Sequence, residues 1–290
     1  MEFINPDQND NSNIEDRRGG GGRKMAIGGV GTIVVIVIAL LLGKNPMQML
    51  NQVNNLAPQQ TQQSDQPYEE SAEEKKESSF SENVFRSCKT VWQQQFSQWN
   101  KQFQSPTFVM YKEGTTTACG TGSAAMGPFY CPGDEKIYLD LSFFEEMEQQ
   151  LHASGDFARA YVVAHEFGHH IQNLLGISDK LDAARGRVSE KEYNRLSVKL
   201  ELQADFLAGY WAHYAKTLQK NGISLNDSDV ESALNAASQI GDDKLQKQAQ
   251  GYVVPDAFTH GTSAQRVFWF KKGLTTGDFN QGDTFNDPSL

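Results

Sequence analysis

Of the six histidines in this 290-residue chain, three fall in "VVAHEFGHHIQ", residues 162–172. The stretch reads His165-Glu166-Phe167-Gly168-His169, with His170 next. On a helix, side chains four apart lie about 40° apart around the axis and about 6 Å along it. His165 and His169 therefore offer their imidazoles to one point from one face, the H-E-x-x-H arrangement that suits a tetrahedral Zn²⁺. Glu166 lies about 60° around from His169, on the ligand side but out of line with the pair. A carboxylate there takes a proton from water without occupying the metal position, which is the work of a general base.

Two imidazoles leave the site incomplete. The metzincin extension needs a glycine and a further histidine where this chain has Gln172 and Leu175, so that pattern fails. Downstream, "KLELQADFLAGYWAHY" places Glu201 and Asp205 four apart, hence on one helix face, within an apolar segment where a pair of carboxylates needs a cation. Glu201 completes a His₂Glu set with the fourth position open. Asp205 accepts the outward N–H of a ligand histidine and fixes its tautomer. His260, in "FTHGTSAQR", is the leading candidate to stabilise an oxyanion, with Arg266 second. His170 reads as packing behind the ligands. His213 is about 120° off the Glu201 face, and His152 has no assigned role.

These residues need helices to carry them. Phe157, Tyr161, Ala164, Phe167, Gly168, Ile171 and Leu174 form the apolar stripe of a helix that Asp156 opens and that stops before Gly176. Gly168 costs that helix about 0.5–1 kcal/mol relative to alanine, so another helix is expected to cross closely there. Ser189 and Glu192 form a capping box for a long helix running to about Leu218, and Ser142 with Glu145 forms another. Before them, "SENVFRSCKTVWQQQFSQWNKQFQ" carries an aromatic stripe at helical spacing, starting near Ser81. Strands are expected at "TFVMYKE" and "KIYLDLS", and helices near residues 227–239 and 263–273, the last capped by Ser263. The fold class is α+β, helix-dominated with a small β-sheet.

The formal net charge of −10 excludes a general nucleic-acid binder, and no glycine-rich phosphate loop is present. "MAIGGVGTIVVIVIALLLG", residues 25–43, is uncharged and long enough to span a bilayer as a helix. Arg17, Arg18, Arg23 and Lys24 precede it, whereas only Lys44 follows closely. That asymmetry predicts a cytoplasmic N-terminus and an extracytoplasmic, periplasmic remainder on a single inner-membrane anchor. A cleaved signal peptide fits less well, since "LLLGKNPMQML" offers no small-residue cleavage site. The expected divisions are a disordered cytoplasmic arm (1–24), a transmembrane anchor (25–43), a disordered polar linker (44–79) and a catalytic domain (80–290). Outside the cytoplasm, Cys119 and Cys131 are expected to pair as a disulfide, and Cys88 to be a buried thiol.

The motif set resembles the gluzincin group of zinc metallopeptidases. More closely, it is similar to the bacterial membrane-anchored family called "putative neutral zinc metallopeptidase". The matching stretches are "ACGTGSAAMGPFYCPGDEKIYLDLSFF", "VVAHEFGHHIQ", "ELQADFLAGYWAH" and "THGTSAQRVFWFKKG", over about residues 80–280, together with the basic arm, apolar run and polar tether. The resemblance implies a zincin-like fold in which an edge strand, here "KIYLDLS", aligns an extended peptide. The expected function is zinc-dependent endopeptidase action on protein or peptide substrates in the cell envelope. His165, His169 and Glu201 would be the ligands, Asp205 their support, and Glu166 and His260 the catalytic groups. The alternatives are a zinc-stabilised module binding an envelope partner without catalysis, and a zinc hydrolase of a non-peptide amide.

Overall fold

Helices carry most of the core in the computed structural model, which describes residues 1–19, 69–123 and 127–290. Helix α1 (Ala72–Gln98) buries Val84, Cys88, Val91, Trp92 and Phe96, the expected stripe. It begins before Ser81, inside the stretch read as linker, because Ser71 and Glu74 form a reciprocal capping box. Its opening turns are polar, so hydrophobic periodicity could not reveal them. Along the chain follow α2 (Ser142–Leu151), α3 (Asp156–Leu174), α4 (Asp179–Ala184), α5 (Glu190–Ala215), α6 (Asp227–Gln239), α7 (Asp242–Gln250) and α8 (Ser263–Thr276). Several caps differ from expectation. Leu141, not Ser142, precedes α2, and the Ser142 hydroxyl donates to Asp140. Gly155 rather than Asp156 caps α3, and Thr262 with Gln265, not Ser263, caps α8.

The strands are β1 (Glu2–Ile4), β2 (Ile14–Asp16), β3 (Thr107–Tyr111), β4 (Gly114–Thr117), β5 (Gly120–Ser123), β6 (Phe129–Cys131), β7 (Lys136–Asp140) and β8 (Gly222–Ser224). The largest sheet has the order β2-β3-β7-β6, parallel except for β6, which runs antiparallel to β7. "KIYLDLS" is therefore internal: β7 is hydrogen-bonded on both sides, and β6 is the edge beside α3. Cys119 and Cys131 are joined by a disulfide with Cα atoms 5.8 Å apart, tying β6 to the β4–β5 hairpin, and Cys88 is buried and free.

Residues 1–19 are the main correction. They were expected as a disordered arm, yet β1 pairs with β8 and β2 with β3. Arg86 Nε donates to Asp10 O at 2.8 Å, Lys136 reaches Glu15 at 2.8 Å, and Arg18 pairs with Glu70 at 2.7 Å. Arg17 pairs with Glu15 at 2.8 Å. Two of the cations read as a topology signal thus serve the fold. The arm and the helical domain pack together. The apolar run 25–43 lies outside the described residues, as does 44–68. Among the described residues, no helix is long and apolar enough to cross a membrane.

Candidate metal centre

Helix α3 is buried along most of its length, and α5 crosses it at Gly168. A Cβ on Gly168 would lie 3.1 Å from Ala204 O and 3.3 Å from Leu207 Cβ, so any larger residue would push α5 back by a few tenths of an ångström. The crossing helix is the one that carries Glu201. His165 and His169 project from α3 with ring centroids 4.8 Å apart and planes at 89°. Glu201 Oε2 lies 3.1 Å from His165 Nε2, and Oε1 lies 3.5 Å from His169 Nε2. One donor atom from each of the three lies within 4.8 Å of the others.

The outward nitrogens are also occupied. His165 Nδ1 is 2.9 Å from Asp205 Oδ1, and His169 Nδ1 is 2.9 Å from Gln172 Oε1. Both Nε2 atoms therefore face each other and Glu201. Two imidazole nitrogens and one carboxylate, with a position left open, fit the nitrogen–oxygen preference of Zn²⁺.

Burial alone would strip the charge from His165, but hydrogen bonds to Asp205 and Glu201 outweigh it and raise its pKa to about 10. Burial likewise opposes charge on Glu201, and the neighbouring His169 outweighs it, holding the carboxyl well below its usual range. The pocket favours cationic partners, and a divalent ion would displace the ring protons. Glu166, almost fully buried beside the rings, has its pKa raised by burial, with His169 and His165 opposing in part. That is the direction a general base requires.

Arg266 stands in a different place from the one expected. Its Nε donates to Asp205 Oδ2 at 2.8 Å and its Nη2 to Oδ1 at 2.9 Å, all of it buried. Its remaining Nη1 turns to Ile240 O at 3.3 Å. The guanidinium braces Asp205 from behind and presents nothing to a substrate. Tyr161 joins the cluster, donating its hydroxyl to Asp205 Oδ1. His260 remains the candidate donor. Its side chain is 40 % exposed, and Asp242 Oδ1 lies 3.4 Å from its Nδ1. Burial opposes charge on His260, but the hydrogen bond to Asp242 raises its pKa, and its charge is felt at Glu201. Asp242 Oδ2 also accepts the backbone N–H of Thr259, His260 and Gly261, fixing the loop.

Tyr161, Gln172 and Asp242 were missed in the sequence. Only Gln172 carried a local cue, since i and i+3 on a helix are neighbours. His170 packs away from the ligands, its Nε2 2.8 Å from Gln104 O and its Nδ1 3.1 Å from the Tyr130 hydroxyl. Burial lowers its pKa to about 4, so it stays neutral. His213 contacts Leu274 O on α8, and the exposed His152 ends α2.

A histidine pair on one helix, a carboxylate from a second and a buried glutamate beside them define a candidate zinc-type centre in a helix-dominated α/β domain. Residues 4–285 match the family described as "putative neutral zinc metallopeptidase", and the chain belongs to that family. It is 43% identical over 285 residues to "Uncharacterized protein YpfJ" of Escherichia coli (strain K12), covering 95% of this chain and 96% of that protein. It is 41% identical over 196 residues to "Uncharacterized protein Rv2575" of Mycobacterium tuberculosis (strain ATCC 25618 / H37Rv), covering 65% of each. No solved structure matches the chain.

Proposed function

We propose that the chain is a zinc-dependent endopeptidase acting on proteins of the cell envelope. The observation that carries this reading is the convergence of His165, His169 and Glu201 beside a buried Glu166. Those three residues would hold a zinc ion, which would supply Lewis acidity to the peptide carbonyl and to water. Glu166, its proton affinity raised, takes the proton from the attacking water and passes it to the leaving amine. Asp205 and Gln172 keep the ligand rings turned inward. His260, held through Asp242 and open to solvent on one side, donates to the oxyanion that develops.

A zincin-like arrangement calls for an edge strand beside the cleft. Strand β6 fits that part, because Tyr130 on it donates its hydroxyl to His170 Nδ1 and accepts from Asn173, both on α3. The disulfide supports an extracytoplasmic domain.

The test is Glu166→Gln. It is expected to keep stoichiometric zinc while cleavage of casein or a peptide library falls at least about 100-fold. Undiminished cleavage would remove the mechanism. Zinc in the wild-type protein without any peptide cleavage would favour the partner-binding or non-peptide alternatives.

A further inference from the structure

The two ligand histidines are held from behind by different chemistry. Asp205, behind His165, is anionic and gripped by Arg266. Behind His169 stands a neutral amide, Gln172, which is fully buried. An amide presents either an acceptor or a donor depending on which way round it sits, and its neighbours decide that here. Gln172 Nε2 lies 2.7 Å from Leu200 O and 3.1 Å from Gln203 Oε1. The first is a main-chain carbonyl and can only accept. The second is committed as an acceptor too, because Gln203 donates its own Nε2 to Gly282 O at 2.8 Å. Turning the Gln172 amide over would set its oxygen against two acceptors and leave buried groups unpaired, at roughly 1–3 kcal/mol each.

Resting on the zinc reading, we propose that Gln172 is the positioning residue of His169. Both its amide hydrogens go to acceptors on α5, so its oxygen must face His169. The ring then carries its proton on Nδ1 and turns a bare Nε2 toward His165 and Glu201. Leu200 and Gln203 flank Glu201 on α5, so the same amide ties the second ligand ring to the turn that bears the third ligand. Gln172 touches no substrate; it acts through His169.

The experiment uses the full chain with ¹⁵N-labelled histidine, loaded with Zn²⁺, together with zinc affinity measured against a chromophoric chelator. Wild type is expected to hold zinc through His169 Nε2 and to show a slowly exchanging His169 Nδ1–H. Gln172→Met, close in size but without an acceptor, is expected to lose that protected proton and to weaken zinc affinity about 10–100-fold. Gln172→Glu restores the acceptor toward His169 but sets its second oxygen against Leu200 O and Gln203 Oε1, so it is expected to recover the protected proton lost in Gln172→Met while being less stable than wild type. A folded Gln172→Met protein with unchanged affinity and an unchanged Nδ1–H signal overturns the proposal. Coordination through Nδ1 in wild type overturns it without any variant. Wild type that takes up no zinc at all sinks the metal reading, and this inference with it.

Discussion

Helices α5 and α8 touch through glycines, and Gly273→Ala tests what that contact does. A Cβ on Gly273 would lie 2.1 Å from Phe206 O and 2.8 Å from Tyr210 N. The reciprocal Cβ on Gly209 would lie 2.0 Å from Phe270 O and 2.7 Å from Leu274 N. Ordinary van der Waals contact begins at 3.4 Å, so alanine at 273 is about 1.3 Å too close to backbone that cannot rotate away. The helices must separate. Arg266 lies two turns before Gly273 on α8, and its partner Asp205 lies one turn before Gly209 on α5. Their hydrogen bonds of 2.8 and 2.9 Å have little room to stretch. Overpacking costs about 1–3 kcal/mol, and losing part of a buried ion pair adds a share of about 3–5 kcal/mol. The helix propensity of alanine returns about 1 kcal/mol. The expected net loss is about 3 kcal/mol, a fall in Tm of about 6–12 °C for a domain of this size. The assay is calorimetric unfolding at fixed free zinc, since a bound ion shifts apparent stability. Propensity acting alone would raise Tm, so an unchanged or higher Tm refutes the close crossing.

Three further outcomes are expected. Arg266→Met leaves Asp205 buried without its guanidinium partner, so urea unfolding should show a loss of up to about 3–5 kcal/mol, partly recovered on adding Asp205→Asn; a single variant as stable as wild type would contradict the bracing role. Glu15, on the arm, has its pKa lowered to about 2, chiefly by hydrogen bonding to Arg17, with burial opposing and Lys136 assisting. Its contribution is therefore complete above its ordinary pKa of 4.5 and lost as pH falls from there toward 2. Glu15→Gln should flatten the acid limb of a stability–pH curve, and an identical limb would show that the arm does not dock through this residue. Because the side chain is 40 % exposed, solvent screening keeps the effect small. Finally, replacing Cys119 and Cys131 by serine opens a link spanning 12 residues and should cost about 3 kcal/mol. Dithiothreitol should lower the Tm of wild type but not of the double variant, and equal responses would argue against the bridge.

How much was legible beforehand follows the range of each interaction. His165, Glu166 and His169 are set by one helical repeat, and Glu201 with Asp205 by another, so spacing alone places each group on a face. Gly168 announced a close crossing through its local cost. The apolar stripe of α1 and the strand alternation of β3 and β7 were equally local. By contrast, the polar opening of α1 and the short strands β1 and β2 carry no periodic apolar signal, because their stability comes from partners far along the chain. β2 pairs with a strand more than ninety residues away. Nothing in "NSNIEDRR" says that Arg18 will meet Glu70 or that Glu15 will meet Lys136.

The sequence by itself determined the donors: which residues could hold a metal, which could move a proton, and which helix face carried them. Tertiary structure alone decided which groups stand behind those donors. Arg266 moved from candidate oxyanion donor to brace for Asp205, Asp242 became the anchor of His260, and Gln172 took the outward nitrogen of His169. The reason is physical. A helical repeat propagates direction over a few residues, whereas the orientation of a buried guanidinium or amide is set by whichever acceptors the packed neighbouring helices bring within about 3 Å.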